Sequence, residues 1–112
     1  MNFREMMIDH GNTDHYVNMI LGALGASEDS EIKSDYSVFD NGDSIEELWD
    51  IDDVEGEVTT LLTIDNLNLR YDKPSNNGFK GMSIGHCRLI SYNGKLIWME
   101  QNASPFLIYY VA

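Results

Sequence analysis

The sequence has a single cysteine, Cys87, and only seven basic residues against nineteen acidic ones. One thiol excludes an intramolecular disulfide framework and any zinc cluster built on cysteines. Long apolar runs are missing too. The longest stretch without charged or strongly polar residues runs from Met19 to Ala26, far short of the ~20 residues that span a bilayer. The first residues, Met1 to Asp9, carry acids where a secretion signal needs an apolar core, so the expected location is cytoplasmic. No glycine-rich phosphate loop exists: Gly78, Gly81 and Gly85 flank a strand start and lack a helix N-terminus to receive phosphate.

Basic patches are equally absent. The five bases after residue 57 (Arg70, Lys73, Lys80, Arg88, Lys95) are scattered and partly offset by Asp65, Asp72 and Glu100, which argues against direct nucleic-acid binding. What the chain does have is 43% apolar residues with two Trp, six Tyr and four Phe in 112 positions. That composition and length predict one folded domain over residues 1–112.

The charge is concentrated. From Glu28 to Glu57 thirteen acids face one base, Lys33, which accounts for a charge of −12, equal to the total. Such a field repels nucleic acid and anionic membrane and attracts basic proteins or cations. The segment is no plain polar tail, because Tyr36, Val38, Phe39, Ile45, Leu48, Trp49, Ile51 and Val54 are threaded through it. The pattern predicts a short strand over 34–39, a turn at Asp40-Asn41-Gly42-Asp43, and a short helix from Ile45 to about Asp50. Ser44 and Glu47 fit a capping box for that helix.

Elsewhere the signals are sharper. Val17, Ile20, Leu21 and Leu24 recur at i, i+3, i+4 and i+7, predicting a helix over 13–25. Thr13 or Asn12 is placed to cap its start and Gly25 its end. Phe3, Met6 and Met7 suggest a preceding helical turn broken near Gly11. Val58 to Ile64 has strand composition, and Leu67, Leu69 and Tyr71 alternate with polar residues; Asp65-Asn66 is either a turn or a point within one long strand. The run 72–78 reads as a loop. Segments 86–92 and 95–101 flank Asn93-Gly94, the preferred pair for a type I′ hairpin. Phe106 to Val111 reads as a last strand, apolar on both faces. The sum is an α+β domain: an N-terminal helix packed on a mainly antiparallel sheet of at least four strands, with the acidic strand-turn-helix segment 28–57 between.

Chemistry is harder to build. His86 and Cys87 are adjacent on a strand and must point to opposite faces, so they form no dyad. Asp9, His10, Asp14 and His15 are metal-ligand types, but His10 and His15 are five apart across Gly11 and share no helical face. An EF-hand loop started at Asp50 puts Val54 at position 5 and Leu61 at 12; started at Ile51, it ends at Leu62. Both frames fail. No catalytic residue, metal or cofactor is expected.

The function expected is therefore that of a non-enzymatic acidic binding module, an inhibitor or nucleic-acid mimic that engages a basic protein surface. Small acidic nuclease inhibitors, immunity proteins and blockers of host defence share this charge property. The residues expected to meet the partner are Tyr36, Phe39, Asp40, Asp43, Glu46, Glu47, Trp49, Asp50, Asp52, Asp53 and Glu55, with an exposed aromatic as anchor. Two alternatives stand beside it. One is an assembly subunit that forms a homodimer through the strand Phe106–Val111; the other is a divalent-cation-binding protein or small enzyme.

Overall fold

Two capped helices lead the chain. α1 (Phe3–Asp9) starts at Asn2, whose side chain accepts the Glu5 amide, and α2 (Asp14–Leu24) starts at Thr13, whose hydroxyl accepts the Tyr16 amide. Each cap satisfies one of the amides a helix start leaves without a partner. The computed structural model describes residues 1–39, 58–71, 82–101 and 106–112. After the helices come β1 (Ile32–Lys33), a 3-10 turn (Tyr36–Val38), β2 (Val58–Tyr71), β3 (Met82–Tyr92), β4 (Lys95–Glu100) and β5 (Leu107–Val111). The strands form an antiparallel sheet in the order β1-β5-β4-β3-β2. The fold is thus α+β with helices on a sheet, as the pattern predicts.

α2 ends at Gly25 in the left-handed conformation, φ +64°, with its amide bonded to the Gly22 and Leu21 carbonyls. A Cβ there would meet no atom within 4 Å, so the whole penalty of Gly25→Ala is backbone strain. We expect a loss of about 1 kcal/mol in urea unfolding; an unchanged midpoint would mean the cap is not held. The hairpin turn is built the same way. Asn93 (φ 49°) and Gly94 (φ 84°) both have positive φ, as a type I′ turn demands, and they place Tyr92 opposite Lys95.

The sheet has two packed faces. Against one lie the helices: Tyr16, Val17, Ile20, Leu21 and Leu24 of α2 and Phe3 and Met7 of α1 meet Leu67, Leu69, Cys87, Leu89, Trp98 and Tyr109. Thr13 fixes the approach, its amide donating to the Leu69 carbonyl at 2.9 Å and its hydroxyl to that of Asn68 at 3.2 Å. The other face gathers Ile90, Tyr92, Ile97, Met99, Phe106, Ile108 and Tyr110 around Phe39. Strand alternation sorts these residues, one parity to each face.

β2 departs from simple alternation. Its register against β3 slips between Thr60 and Leu62, Ile64 and Leu67, and Asn68 and Arg70, each time with one extra residue on β2. Asp65-Asn66 is therefore a point in one long strand, with Asn66 at φ 59°. The first slip breaks the parity, and Leu61 and Leu62 are both exposed, 53% and 44%. Repeated bulges of this kind twist an edge strand away from intermolecular pairing.

One expectation needs correction. Residues 34–39 do not form a strand: the extended pair is Ile32–Lys33, and the chain then tightens into the 3-10 turn. The cause is local, since the Asp35 carboxylate accepts the Ser37 amide and competes with sheet pairing. The last strand, apolar on both faces, is paired on both sides. β1 pairs with β5 at Ile32–Val111 and Lys33–Tyr110, the Ser34 hydroxyl donates to the Ile108 carbonyl at 2.7 Å, and the Tyr36 hydroxyl donates to that of Phe106. The expected turn at 40–43 and helix from Ile45 lie outside the described residues, as does the loop 72–78.

Candidate functional site

The described part of the acidic segment, residues 28–39, is a mount clamped to both ends of the domain. Glu28 is held by Arg4 of α1, through Nε at 3.0 Å and Nη2 at 2.7 Å, while Arg4 Nη1 binds Asp14 of α2 at 3.0 Å. Its hydrogen bonds to Glu28 raise the Arg4 pKa and lower that of Glu28. Seven residues on, Asp35 accepts from the Tyr110 hydroxyl at 2.6 Å and from both the amide and hydroxyl of Ser37. Those bonds, Ser37 first and Tyr110 next, hold its carboxyl below the usual range. Glu28, Asp29, Glu31 and Asp35 remain solvent-exposed, so their charge is presented outward from a fixed backbone.

Of the eleven residues expected to meet a partner, two are described. Phe39 is 5% exposed and packs edge-on against Tyr92, with ring centroids 5.0 Å apart. It belongs to the core and is withdrawn as an exposed anchor. Tyr36 is half-buried, its hydroxyl spent on Phe106. Both instead fasten the segment to the sheet. Asp40, Asp43, Glu46, Glu47, Trp49, Asp50, Asp52, Asp53 and Glu55 lie outside the described residues.

A second constellation, which the sequence pattern did not reveal, sits beneath the helices. Glu100 is a strand residue with no exposed surface. Its carboxylate accepts from the Tyr16 hydroxyl at 2.9 Å and from Arg70 Nη2, which lies 2.9 Å from both oxygens. The Tyr16 hydroxyl in turn accepts from Trp98 Nε1 at 3.1 Å and lies 3.8 Å from Cys87 Sγ. A buried carboxylate is tolerable only when paired and hydrogen-bonded in this way. Burial acts against the Arg70 charge, but the Glu100 hydrogen bonds and charge lift its pKa above the ordinary value. Burial, then the Glu100 carboxylate, raises the Tyr16 and Tyr109 phenols well above theirs. Burial also pushes the Cys87 thiol up to about 11, so this thiol is inert at neutral pH.

Compared with known proteins, the chain matches no family model, no curated protein and no solved structure. Its function must be argued from its own residues.

Among the described residues, the candidates for nucleophilic and metal chemistry stay apart. Cys87 and His86 point to opposite faces: Cys87 is buried among the helix-side residues, while His86 is half-exposed and pairs with Asp65. Asp9, His10, Asp14 and His15 are all exposed. Among the described residues no three His, Cys, Asp or Glu side chains come together to hold a metal, and no helix is long and apolar enough to cross a membrane. The site that does form is a clamp, with Arg4 at one end, Asp35 and Tyr110 at the other, and carboxylates displayed between them.

Proposed function

We propose that this protein is a non-enzymatic acidic interaction module of the cytoplasm, which uses residues 28–57 to engage a basic surface on another protein as an inhibitor or nucleic-acid mimic would. The observation that carries this reading is the segregation of charge: −12 within thirty residues of a chain whose total is −12. The fold adds a reason for the segregation to be useful. Residues 28–39 are tied to α1, β5 and the second sheet face, so Glu28, Asp29, Glu31 and Asp35 are carried on a held stretch of chain. Carboxylates held in this way lose less entropy on binding than those of a free tail, and a concentrated negative charge accelerates encounter by roughly 10 to 10³ at low salt.

Complementary charge also predicts how the complex behaves. Affinity capture from the native host lysate should recover a basic protein with wild type. Recovery should fall strongly when Asp50, Asp52, Asp53 and Glu55 are changed together to the corresponding amides. Affinity for the captured protein should drop steeply between low and physiological salt, where the Debye length is ~8 Å. Equal capture by both proteins, or affinity indifferent to salt, overturns the reading. The alternative of assembly through the last strand draws no support from the fold, since β5 is interior to the sheet.

A further inference from the structure

Along β2 the cover given by the helices runs out. Leu67 and Leu69 lie under them, 7% and 0% exposed, and Ile64 is half-buried at the margin. Leu62 stands opposite Leu89 in the ladder, yet Leu89 is 9% exposed and Leu62 44%. Its neighbour Leu61 is the residue inserted by the first bulge and is 53% exposed. Thr59, Thr60 and Thr63 around the pair are exposed as well. The stretch from Val58 to Ile64 holds no charge, proline or glycine, and it lies on the strand that ends the sheet among the described residues. An outer strand is ordinarily blunted by charged residues or proline, because a bare apolar one invites association. Here the bulge, a device that re-aims side chains, instead sets two leucines side by side in solvent.

Charge selects what covers them. The acidic segment ends at Glu57, one residue before β2 begins, and Asp65, 64% exposed, follows the leucines. An apolar pair with acids on both sides in the chain is complementary to a basic surface that has an apolar pocket. A second copy is a poor match, since it carries the same charge of −12 and the bulges hinder pairing of β2 with another strand. We infer that Leu61 and Leu62 are the apolar anchor of a docking surface for a basic protein, entering a pocket beside its cationic patch. This rests on the acidic-interface reading and supplies the anchor that the buried Phe39 does not.

The test measures affinity for the basic protein that wild type captures from the native host lysate, once it is identified and purified. Leu61→Thr with Leu62→Thr removes the anchor and keeps β propensity, so the melting temperature should hold. Affinity should fall roughly tenfold or more, the scale for truncating an anchor residue, with the salt dependence of wild type retained. Changing Asp50, Asp52, Asp53 and Glu55 to amides should do the reverse, weakening binding chiefly at low salt and flattening its salt dependence. Amide hydrogen exchange of the wild-type chain should slow over 58–64 when the complex forms. Full affinity in the threonine variant, or unchanged exchange over 58–64, overturns the anchor and leaves the acidic reading standing. Loss in the threonine variant with none in the amide variant overturns the acidic reading, and the basic partner with it. A wild-type dimer in sedimentation that the threonine substitutions dissolve makes a second copy the occupant and also overturns the inference. Failure of wild type to capture any basic protein overturns both.

Discussion

Replacing Arg70 by alanine should destabilise the fold by about 3–5 kcal/mol, the cost of leaving a fully buried carboxylate without its counter-charge. Glu100 has no exposed surface, and its remaining described partner, the Tyr16 hydroxyl, carries no charge to neutralise it. The control is the double variant Arg70→Met with Glu100→Leu, which removes both charges together. It should recover at least about 2 kcal/mol relative to Arg70→Ala, because an apolar pair of similar volume often equals or exceeds a buried ion pair. Some cost remains, since the Tyr16 hydroxyl loses a charged acceptor, and a hydrogen bond to a charged group contributes about 1.5–3 kcal/mol. Urea unfolding of the two variants against wild type decides the matter. A loss below about 1 kcal/mol in Arg70→Ala would show that Glu100 is not held as the fold implies.

The same constellation sets an alkaline limit. Cys87 is pushed up to about 11 by burial, and Tyr16 and Tyr109 are raised further from their ordinary value of 10.0. Each of these groups is neutral when protonated, so a raised pKa means the folded protein holds protons that the unfolded chain releases. Stability from this source is fully present below the unfolded values, falls as pH rises through about 9, and for Cys87 is exhausted near 11. The thiol alone contributes roughly 2–3 kcal/mol by linkage, and the two phenols steepen the fall above pH 10. Chemical denaturation at pH 8 to 11 should show this monotonic decline, with Cys87→Ser removing the part that begins near pH 9. Stability that stays level to pH 11 would contradict the placement of these three groups.

The sequence disclosed local structure more fully than it disclosed the sites. Thr13, Gly25 and Asn93-Gly94 act within a few residues of themselves, and their chemistry dictates caps and a turn whatever surrounds them. The helical face Val17, Ile20, Leu21, Leu24 was legible for the same reason. Residues 34–39 misled because β-branched and aromatic composition favours a strand only when the backbone is free to pair, and the Asp35 carboxylate takes the Ser37 amide instead. Glu100 stayed hidden because its partners Tyr16 and Arg70 are remote in sequence. One signal was available: alternation in Lys95–Glu100 puts Glu100 on the same face as Leu96 and Trp98, and an acid at an inward position must find a partner. β2 concealed its form differently. Three inserted residues reset its parity, and nothing in a period-two pattern announces where a bulge falls.

The pairing of Ile32 with Val111 also has a kinetic side. The β3–β4 hairpin closes across two residues and forms without waiting for distant chain, whereas β1 must find a strand at the opposite end of the sequence. Closing so long a loop carries an entropic cost that only a formed β5 can offset. β1 is therefore expected to dock late, on a sheet already assembled. Its two-residue ladder is also a small unit, able to open while the helices and the central strands stay folded. The described acids Glu28, Asp29, Glu31 and Asp35 thus flank the smallest pairing unit of the sheet. Anything that grips those carboxylates acts on a local opening equilibrium of the mount as well as on a surface.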